Sequence, residues 1–208
     1  MNTAVAILGL NGSGKSTLAH ALALATGYRE MDAEDYYFPT QRASRQLALA
    51  HQPDPHADAR MLPFSSPQGR EEACVMLMRD AGAHPHLILA SVDLIWCAPI
   101  IPRIALAFVV SAPLDERLRR VAERERARFG TRVEAGGDLY AISRAFRQKI
   151  ASRGQTALPG GADALQCPVM YLDGMASVKD NVGIVLQQMS AHALPLLPAN
   201  ENIDDRRK

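Results

Sequence analysis

The chain has 208 residues, of which 48% are hydrophobic and 22% are charged, so it can fold one full-sized domain on a core of its own. This composition excludes disordered, collagen-like and disulfide-scaffold proteins. The 23 basic and 22 acidic residues leave a net charge of +1, which gives no support to a protein that binds nucleic acid through excess positive charge. No nucleic-acid partner is therefore predicted.

The cysteines and the apolar stretches bear on where the protein acts. Three widely spaced cysteines lie in apolar surroundings, namely Cys74, Cys97 and Cys167. This pattern argues against a disulfide framework and against a CxxC metal or redox site, and it fits a reducing cytoplasm. The N-terminal residues carry no secretion signal, and polar residues or prolines interrupt every long apolar stretch. We expect a cytoplasmic protein without a membrane span.

Apolar runs typical of buried strands alternate along the chain with segments of helical spacing. The predicted strands are 3–8, 28–32, 86–92, 104–111 and 168–173. The predicted helices are 15–26, 70–81, 114–129, 138–153 and 178–189. This alternation is typical of an α/β fold in which helices on right-handed crossovers cover both faces of a parallel sheet.

Two segments fall outside this alternation. Residues 39–69 are rich in Pro, His, Gln and Ser and are longer than a simple connection, so an insertion that covers the acceptor is predicted at about 39–70. Residues 195–208 are polar and contain proline, which is typical of a frayed end. With no low-complexity linker between the elements, we expect one domain over 1–192 and a flexible tail over 193–208.

A glycine-rich loop stands between the first strand and the first helix. Residues 9–17 read GLNGSGKST and satisfy the pattern G-x-x-x-x-G-K-[ST]. Its glycines let backbone N–H groups surround a phosphate, and the helix N-terminus adds partial positive charge. We predict that Lys15 reaches the β- and γ-phosphates and that the Ser16 hydroxyl ligates Mg²⁺. The predicted nucleotide-binding residues are Gly9, Asn11, Gly12, Ser13, Gly14, Lys15, Ser16 and Thr17.

Three carboxylates follow the second strand, at Asp32, Glu34 and Asp35. The carboxyl ends of parallel strands face the ligand crevice of an open α/β sheet. Phosphoryl transfer needs a group that orients or deprotonates the attacking hydroxyl, and carboxylates that help to hold Mg²⁺. We predict that Asp35 is this base, that Asp32 and Glu34 contact the acceptor, and that Asp32 also contacts the metal. A solvated acidic turn is the alternative interpretation.

Two further residues are candidates for binding the acceptor. Asp93 follows the apolar run 87–92, where a Walker B carboxylate would stand, although an ordinary exit from the strand is the alternative. Arg70 begins the helix that precedes the third strand, and its alternative is a solvent-facing side chain. Both residues are predicted to belong to the acceptor side of the site.

Arginines crowd the predicted helix 114–129 and its exit. Helical spacing places four of them on one side, namely Arg117, Arg120, Arg124 and Arg128. Arg119 and Arg126 lie elsewhere on the helix and have glutamates within pairing distance in sequence, so a salt-bridged solvent face is the alternative for about half of the arginines. The one-sided row predicts a lid at about 124–138 that delivers Arg120 and Arg124 to the transferring phosphate.

Taken together, the glycine loop, the acidic turn and the arginine helix resemble the P-loop nucleoside and nucleotide kinase superfamily, which includes adenylate kinase-like, shikimate kinase-like and uridine kinase-like enzymes. Residues 27–39, 129–132, 136–140 and 167–174 more narrowly resemble a bacterial group labelled AAA-family ATPase or adenylate kinase-like. The resemblance spans roughly residues 3–190. It implies a three-layer sandwich around a five-stranded parallel sheet of order 2-3-1-4-5, the use of ATP with Mg²⁺, and an approach of the loop near Asp173 to the adenine.

The sequence therefore predicts a cytoplasmic kinase, monomeric or homodimeric, that transfers the γ-phosphoryl group of ATP to a hydroxyl or phosphate on a small molecule. Two other functions stay open. One is an ATP-binding switch or regulatory NTPase, in which nucleotide orders a loop without transfer. The other is a phosphotransferase that acts on a sugar nucleotide or an antibiotic hydroxyl. The acidic turn favours a kinase, because a switch needs no base for an acceptor.

Overall fold

A computed structural model describes residues 3–39, 42, 69–153 and 164–197 of the chain. Within these residues, five parallel strands form one sheet in the order β2-β3-β1-β4-β5. The strands are β1 (Thr3–Leu8), β2 (Arg29–Asp32), β3 (His86–Ser91), β4 (Ile104–Ser111) and β5 (Val169–Asp173). The predicted fold class and the strand order 2-3-1-4-5 are confirmed.

Helices connect the strands where the periodicity predicts them. They are α1 (Lys15–Thr26), α2 (Glu34–Tyr37), α3 (Arg70–Gly82), α4 (Leu114–Phe129), α5 (Tyr140–Ser152) and α6 (Val178–Ala191). Among the described residues, the 3₁₀ segment Ile95–Arg103 follows β3 and the 3₁₀ segment Gly130–Val133 follows α4. The ends of the predicted helices differ from the observed ends by two residues or fewer. The single turn α2 is not predicted, because four residues carry no helical period.

The core lies on both faces of the central strand β1. Alternate residues of a strand point to opposite faces, and every residue of β1 is buried because both faces are covered. On one face Leu8 packs in a cluster with Leu77 of α3. On the other face Ile7 packs in a cluster with Leu22 of α1 and Val185 of α6. The sheet is therefore the middle layer of three, and its carboxyl edge is left to the loops that carry the candidate site.

Two of the three cysteines are paired. Cys74 of α3 and Cys97 of the first 3₁₀ segment form a disulfide, with their Cα atoms 5.2 Å apart. The expectation of unpaired cysteines is thus wrong for these two, because α3 packs against the segment after β3 and brings together residues that are distant in sequence. Cys167 is a free thiol, and burial raises its pKa. The prediction of a reducing cytoplasm loses the support that it drew from the cysteines.

The chain after α6 packs against the connection between α1 and β2. The Leu197 amide donates a hydrogen bond to the Thr26 carbonyl at 3.0 Å, and the Tyr28 hydroxyl donates to the Pro195 carbonyl at 2.7 Å. Most of the predicted insertion (40–41 and 43–68) and the end of the predicted tail (198–208) lie outside the described residues. Among the helices that the structure does describe, none is long and apolar enough to cross a membrane.

Candidate functional site

The glycine loop curls tightly between β1 and α1. Gly12 and Gly14 have φ angles of +83° and +100°, in the left-handed region that favours glycine. A Cβ atom at Gly12 would lie 2.4 Å from the carbonyl oxygen of Arg117 in α4, so the loop backbone packs directly on that helix. Gly14 caps α1 and accepts from the Leu18 amide at 3.0 Å. The N-terminus of α1 therefore points into the loop. A loop of this kind could hold a phosphate between its backbone N–H groups and the positive end of the helix.

Replacing Gly12 with alanine should destabilise this loop, whereas replacing Gly183 should not. Gly12→Ala places a methyl group against a backbone oxygen at a positive φ, so we expect a loss of roughly 1–3 kcal/mol of unfolding free energy and loss of ATP binding. Gly183 lies within α6 with nothing within 4 Å of its added Cβ, so alanine there should stabilise the helix by about 0.5–1 kcal/mol. Denaturant unfolding of both variants measures the difference, and equal unfolding free energies would contradict the packing of the loop.

Two side chains of the loop converge on a carboxylate from α2. Lys15 is only 5% exposed, and its Nζ lies 3.6 Å from Glu34 Oε1. Asn11 Nδ2 donates a hydrogen bond to the same oxygen at 3.2 Å. The structure thus brings together a predicted phosphate-binding lysine, a predicted nucleotide-binding asparagine and one carboxylate of the acidic turn.

The hydroxyl of Ser16, the residue after Lys15, meets a second carboxylate of the acidic turn. Ser16 Oγ donates a hydrogen bond to Asp32 Oδ2 at 2.7 Å, and Asp32 Oδ1 accepts from the Glu34 amide at 2.9 Å. Asp32 is 4% exposed and stands at the end of β2. Mg²⁺ prefers oxygen ligands and usually takes one or two carboxylates together with water and substrate phosphates. The two residues predicted to contact the metal are therefore adjacent, and their oxygens suit that ion.

The third carboxylate of the turn, Asp35, precedes a buried tyrosine. The Tyr36 hydroxyl donates to Asp80 Oδ2 at 3.2 Å, and burial together with Asp80 raises the pKa of that hydroxyl. Asp35 Oδ2 lies 4.0 Å from Arg42 Nε, and the Asp35 side chain is 13% exposed. The Glu34 carboxylate thus contacts the glycine loop, and the Asp35 carboxylate lies near Arg42.

An aromatic pair lies beside the Asp93 backbone, beyond the carboxyl ends of β2 and β3. The rings of Tyr37 and Trp96 lie 4.5 Å apart between centroids, and Trp96 Nε1 donates to the Asp93 carbonyl at 3.0 Å. Burial raises the pKa of Tyr37, while the charge of Arg70 lowers it and that of Asp93 raises it. Both charges therefore act on the Tyr37 hydroxyl in opposite directions, and the acceptor-binding roles of Arg70 and Asp93 stay predictions.

Arg120 of α4 bridges the glycine loop and the loop after β5. Its Nη1 donates to the Ser13 carbonyl at 3.4 Å, and its Nη2 donates to the Gly174 carbonyl at 3.0 Å. Gly174 packs on the glycine loop, since a Cβ there would lie 2.6 Å from the Ser13 carbonyl oxygen. Glu116 Oε1 accepts from Arg120 Nε at 2.6 Å and helps to orient the guanidinium. Hydrogen bonding from Arg119, and then from Arg120, lowers the pKa of Glu116 to about 2.

Three other arginines of α4 are exposed, and they differ in their partners. Arg119 is exposed and pairs with Glu116 and Glu123, and Arg126 pairs with Glu134 at 2.9 Å. These two side chains form the salt-bridged face that the alternative interpretation predicted. Arg124 is exposed and forms no hydrogen bond or ion pair within the described parts of the chain. Its role on the lid therefore stays a prediction.

Replacing Arg120 with alanine should reduce ATP-dependent turnover by more than about tenfold, because a guanidinium beside the glycine loop is lost. Arg119→Ala is the matched control on the same helix. An exposed ion pair contributes only about 0–1 kcal/mol, so we expect near-normal turnover and a small change in stability. Initial rates of ADP formation compare the two variants, and equal small effects would assign Arg120 to the solvated face as well.

Sequence reasoning did not find Arg153, which follows the last turn of α5. Its Nη1 donates to Asn11 Oδ1 at 3.4 Å, so a third helix sends a side chain to the glycine loop. Arg153 is one of several basic residues along the predicted helix 138–153. Nothing in its spacing distinguishes it from the others, so only the packing of α5 reveals its position.

Comparison with known proteins agrees with this architecture. No family model matches the chain. The uncharacterized protein YqaC of Bacillus subtilis (strain 168) is 26% identical over 200 residues, which are 92% of this chain and all of that protein. A candidate kinase from Chloroflexus aurantiacus superposes with a TM-score of 0.55 at 17% identity, covering 91% of this chain and 97% of its own.

Two solved kinases superpose nearly as well. Shikimate kinase from Bacteroides thetaiotaomicron has a TM-score of 0.51 at 15% identity and covers 90% of this chain and 98% of its own. A gluconokinase from Sinorhizobium meliloti has a TM-score of 0.50 at 11% identity and covers 91% of this chain and 93% of its own. Similarity at these identities establishes a shared fold and no more. The chain therefore has the P-loop kinase-like α/β fold that its sequence resembles.

Proposed function

We propose that this chain is an ATP-dependent small-molecule kinase that transfers the γ-phosphoryl group to a hydroxyl or phosphate acceptor. One observation carries the proposal. The phosphate loop, the Ser16 and Asp32 oxygens and the Glu34 carboxylate all lie at the carboxyl edge of one parallel sheet, in mutual contact. A nucleotide-binding module needs only the first two of these features, whereas a transferase also needs a carboxylate beside the transferring group.

The residues of the glycine loop fit an ATP polyphosphate. Gly12 and Gly14 turn the backbone at positive φ, Gly12 packs on Arg117, and the buried side chain of Lys15 follows directly. Lys15 would hold the β- and γ-phosphates, and Arg120 would fix the loop after β5 against the nucleotide. Ser16 and Asp32 would hold Mg²⁺, which neutralises negative charge on the phosphates when it is bound.

The carboxylates of α2 face the acceptor in this proposal. Glu34 contacts both Asn11 and Lys15, which supports a role for its carboxylate in orienting the attacking hydroxyl and taking its proton. Asp35, which the sequence predicted for this role, is the next residue and is the alternative base. Arg70 would bind an anionic group of the acceptor, and Asp93 would accept a hydrogen bond from one of its hydroxyls.

The chemistry that these groups support is a direct displacement. The acceptor oxygen forms a bond to the γ-phosphorus, the bond from that phosphorus to the β–γ bridging oxygen breaks, and the acceptor proton passes to the carboxylate. Lys15 and an arginine from the α4 side, Arg120 or Arg124, stabilise the charge that spreads over the transferring oxygens. The protein supplies position and charge for this reaction rather than covalent catalysis.

A coupled ADP-release assay across nucleosides, nucleotides, sugars and sugar acids tests the proposal. We expect one class of acceptor to raise ADP release above the slow hydrolysis of ATP by water, and mass spectrometry to find that acceptor heavier by one phosphoryl group. ATP binding without stimulation by any acceptor, together with nucleotide-dependent protection from proteolysis, would instead support a switch.

A further inference from the structure

A buried charge network joins α4 to α5 at a distance from the glycine loop. Glu125 of α4 is 2% exposed, and its Oε2 accepts hydrogen bonds from Ser143 Oγ at 2.6 Å and from Arg147 Nη1 at 2.8 Å. Arg147 Nη1 also donates to Ser143 Oγ at 2.6 Å. A buried carboxylate is costly unless its partners stay in place, so this network favours one relative position of the two helices.

The apolar contact beside the network is less restrictive. Val121 of α4 packs on Phe146 and Ile150 of α5. Apolar side chains can repack after a small slide or rotation with little change in buried area, whereas charge-assisted hydrogen bonds depend on distance and angle. The register of α5 on α4 therefore depends on the polar network more than on the apolar contact.

The far end of α5 reaches the acceptor side of the glycine loop. Arg153 Nη1 donates to Asn11 Oδ1, and Asn11 is in turn bonded to Glu34. Glu34 faces the Lys15 ammonium, so Arg153 lies on the side of the loop where transfer would occur. Arg120 approaches the same loop from the side of β5. The two arginines thus flank the loop, and Arg153 is the one beside the carboxylate.

We infer that Glu125 is a positioning residue: through Arg147 and Ser143 it holds α5 so that the Arg153 guanidinium reaches the transferring phosphoryl group. The inference rests on the proposed function. Arg153 follows Arg147 by six residues, which corresponds to about 9 Å along a helix. A change in register at the network is carried along the rigid helix to the Arg153 guanidinium and breaks its contact with the loop.

A double-mutant cycle on the full-length protein tests this inference. Titration calorimetry measures how much aluminium fluoride, a mimic of the phosphoryl group during transfer, tightens the binding of ADP with Mg²⁺. Arg153→Ala should reduce this gain in affinity roughly tenfold to a hundredfold, which is the effect of losing a charge-assisted hydrogen bond. Glu125→Gln should reduce it by about tenfold while the affinity for MgADP alone changes by less than about threefold.

The double variant decides whether Glu125 acts through Arg153. If it does, adding Glu125→Gln to Arg153→Ala should cause less than about a twofold further loss. The inference would be overturned if Glu125→Gln caused the same loss of this gain in affinity with Arg153 present and with Arg153→Ala. It would also be overturned if either single variant kept the full gain, or if aluminium fluoride did not tighten binding to the wild-type protein. If Glu125→Gln does not fold, Ser143→Ala carries the same cycle, because it removes one hydrogen bond and keeps the ion pair.

Two further variants show that the effect is specific. Arg144→Ala changes an exposed side chain of the same helix and should leave the gain in affinity unchanged. Glu125→Asp keeps the charge and should restore part of the gain that Glu125→Gln loses, whereas a merely structural defect would lower the unfolding temperature without this rescue. Failure of the proposed function is distinguishable, since it would show as no phosphorylated acceptor in the ADP-release assay while the cycle still reported coupling.

Discussion

Replacing Lys15 with alanine is expected to cause a severe loss of ATP-dependent transfer while the fold survives. Lys15 is 5% exposed, and its ammonium is held 3.6 Å from the Glu34 carboxylate rather than free in solvent. In such a site a preorganised charge is worth several kcal/mol in the transition state, so turnover should fall by roughly 10²–10³-fold or more. Rates of ADP formation with the identified acceptor, and with water if no acceptor is found, measure the loss.

A second lysine, far from the glycine loop in sequence, provides a matched control. Lys179 lies on α6 and is exposed, and Lys179→Ala should leave both turnover and ATP affinity unchanged. Thermal unfolding of the two variants should differ from that of the wild-type protein by only a few degrees, because neither side chain is part of an apolar cluster. Full turnover and normal ATP affinity in Lys15→Ala would refute the assignment of the glycine loop.

The glycine loop could be predicted from sequence because its chemistry is local. The positive φ at two glycines, the lysine and the helix N-terminus all belong to one continuous segment, so a short pattern contains the whole cradle. The sheet followed from the alternation of apolar runs and helical spacing, and its strand order followed from the resemblance. These features need no knowledge of which distant residues touch.

The contact of Ser16 with Asp32 depends on the strand order. The Gly9 amide donates to the Ser91 carbonyl at the end of β3, and the Ala33 amide donates to the Ala90 carbonyl beside it. β3 therefore holds the glycine loop on one side and the acidic turn on the other. Both residues were predicted to contact the metal, but only the shared strand explains why their side chains meet.

The disulfide and the contact of Arg153 with the glycine loop could not be predicted from the sequence. Cys74 and Cys97 meet because α3 packs on a 3₁₀ segment that no periodicity predicted. Arg153 reaches Asn11 because of how α5 lies on α4, and a buried carboxylate in the middle of the arginine-rich α4 bonds to α5. In both cases the decisive contact joins two elements through packing that composition and spacing do not encode.

The choice between Glu34 and Asp35 is also beyond the sequence, because neighbouring residues of a helical turn point about 100° apart. We expect Glu34→Gln to reduce phosphoryl transfer by roughly 10²–10⁴-fold, the usual scale for a positioned acid–base group. Asp35→Asn should cause a smaller loss of phosphoryl transfer, because the Asp35 carboxylate lies beside Arg42. A coupled ADP-release assay with the identified acceptor compares the two variants at saturating ATP.

Nucleotide affinity separates a lost base from a damaged site. The Glu34 carboxylate lies 3.6 Å from the Lys15 ammonium and competes with phosphate for that charge. Glu34→Gln removes the competing charge, so its affinity for ATP should be equal to or higher than that of the wild-type protein, even though transfer is lost. A misfolded loop would weaken both properties together. If Asp35→Asn instead shows the larger loss of transfer with normal ATP affinity, the base is Asp35 and the contact of Glu34 with Lys15 belongs only to the nucleotide-free protein.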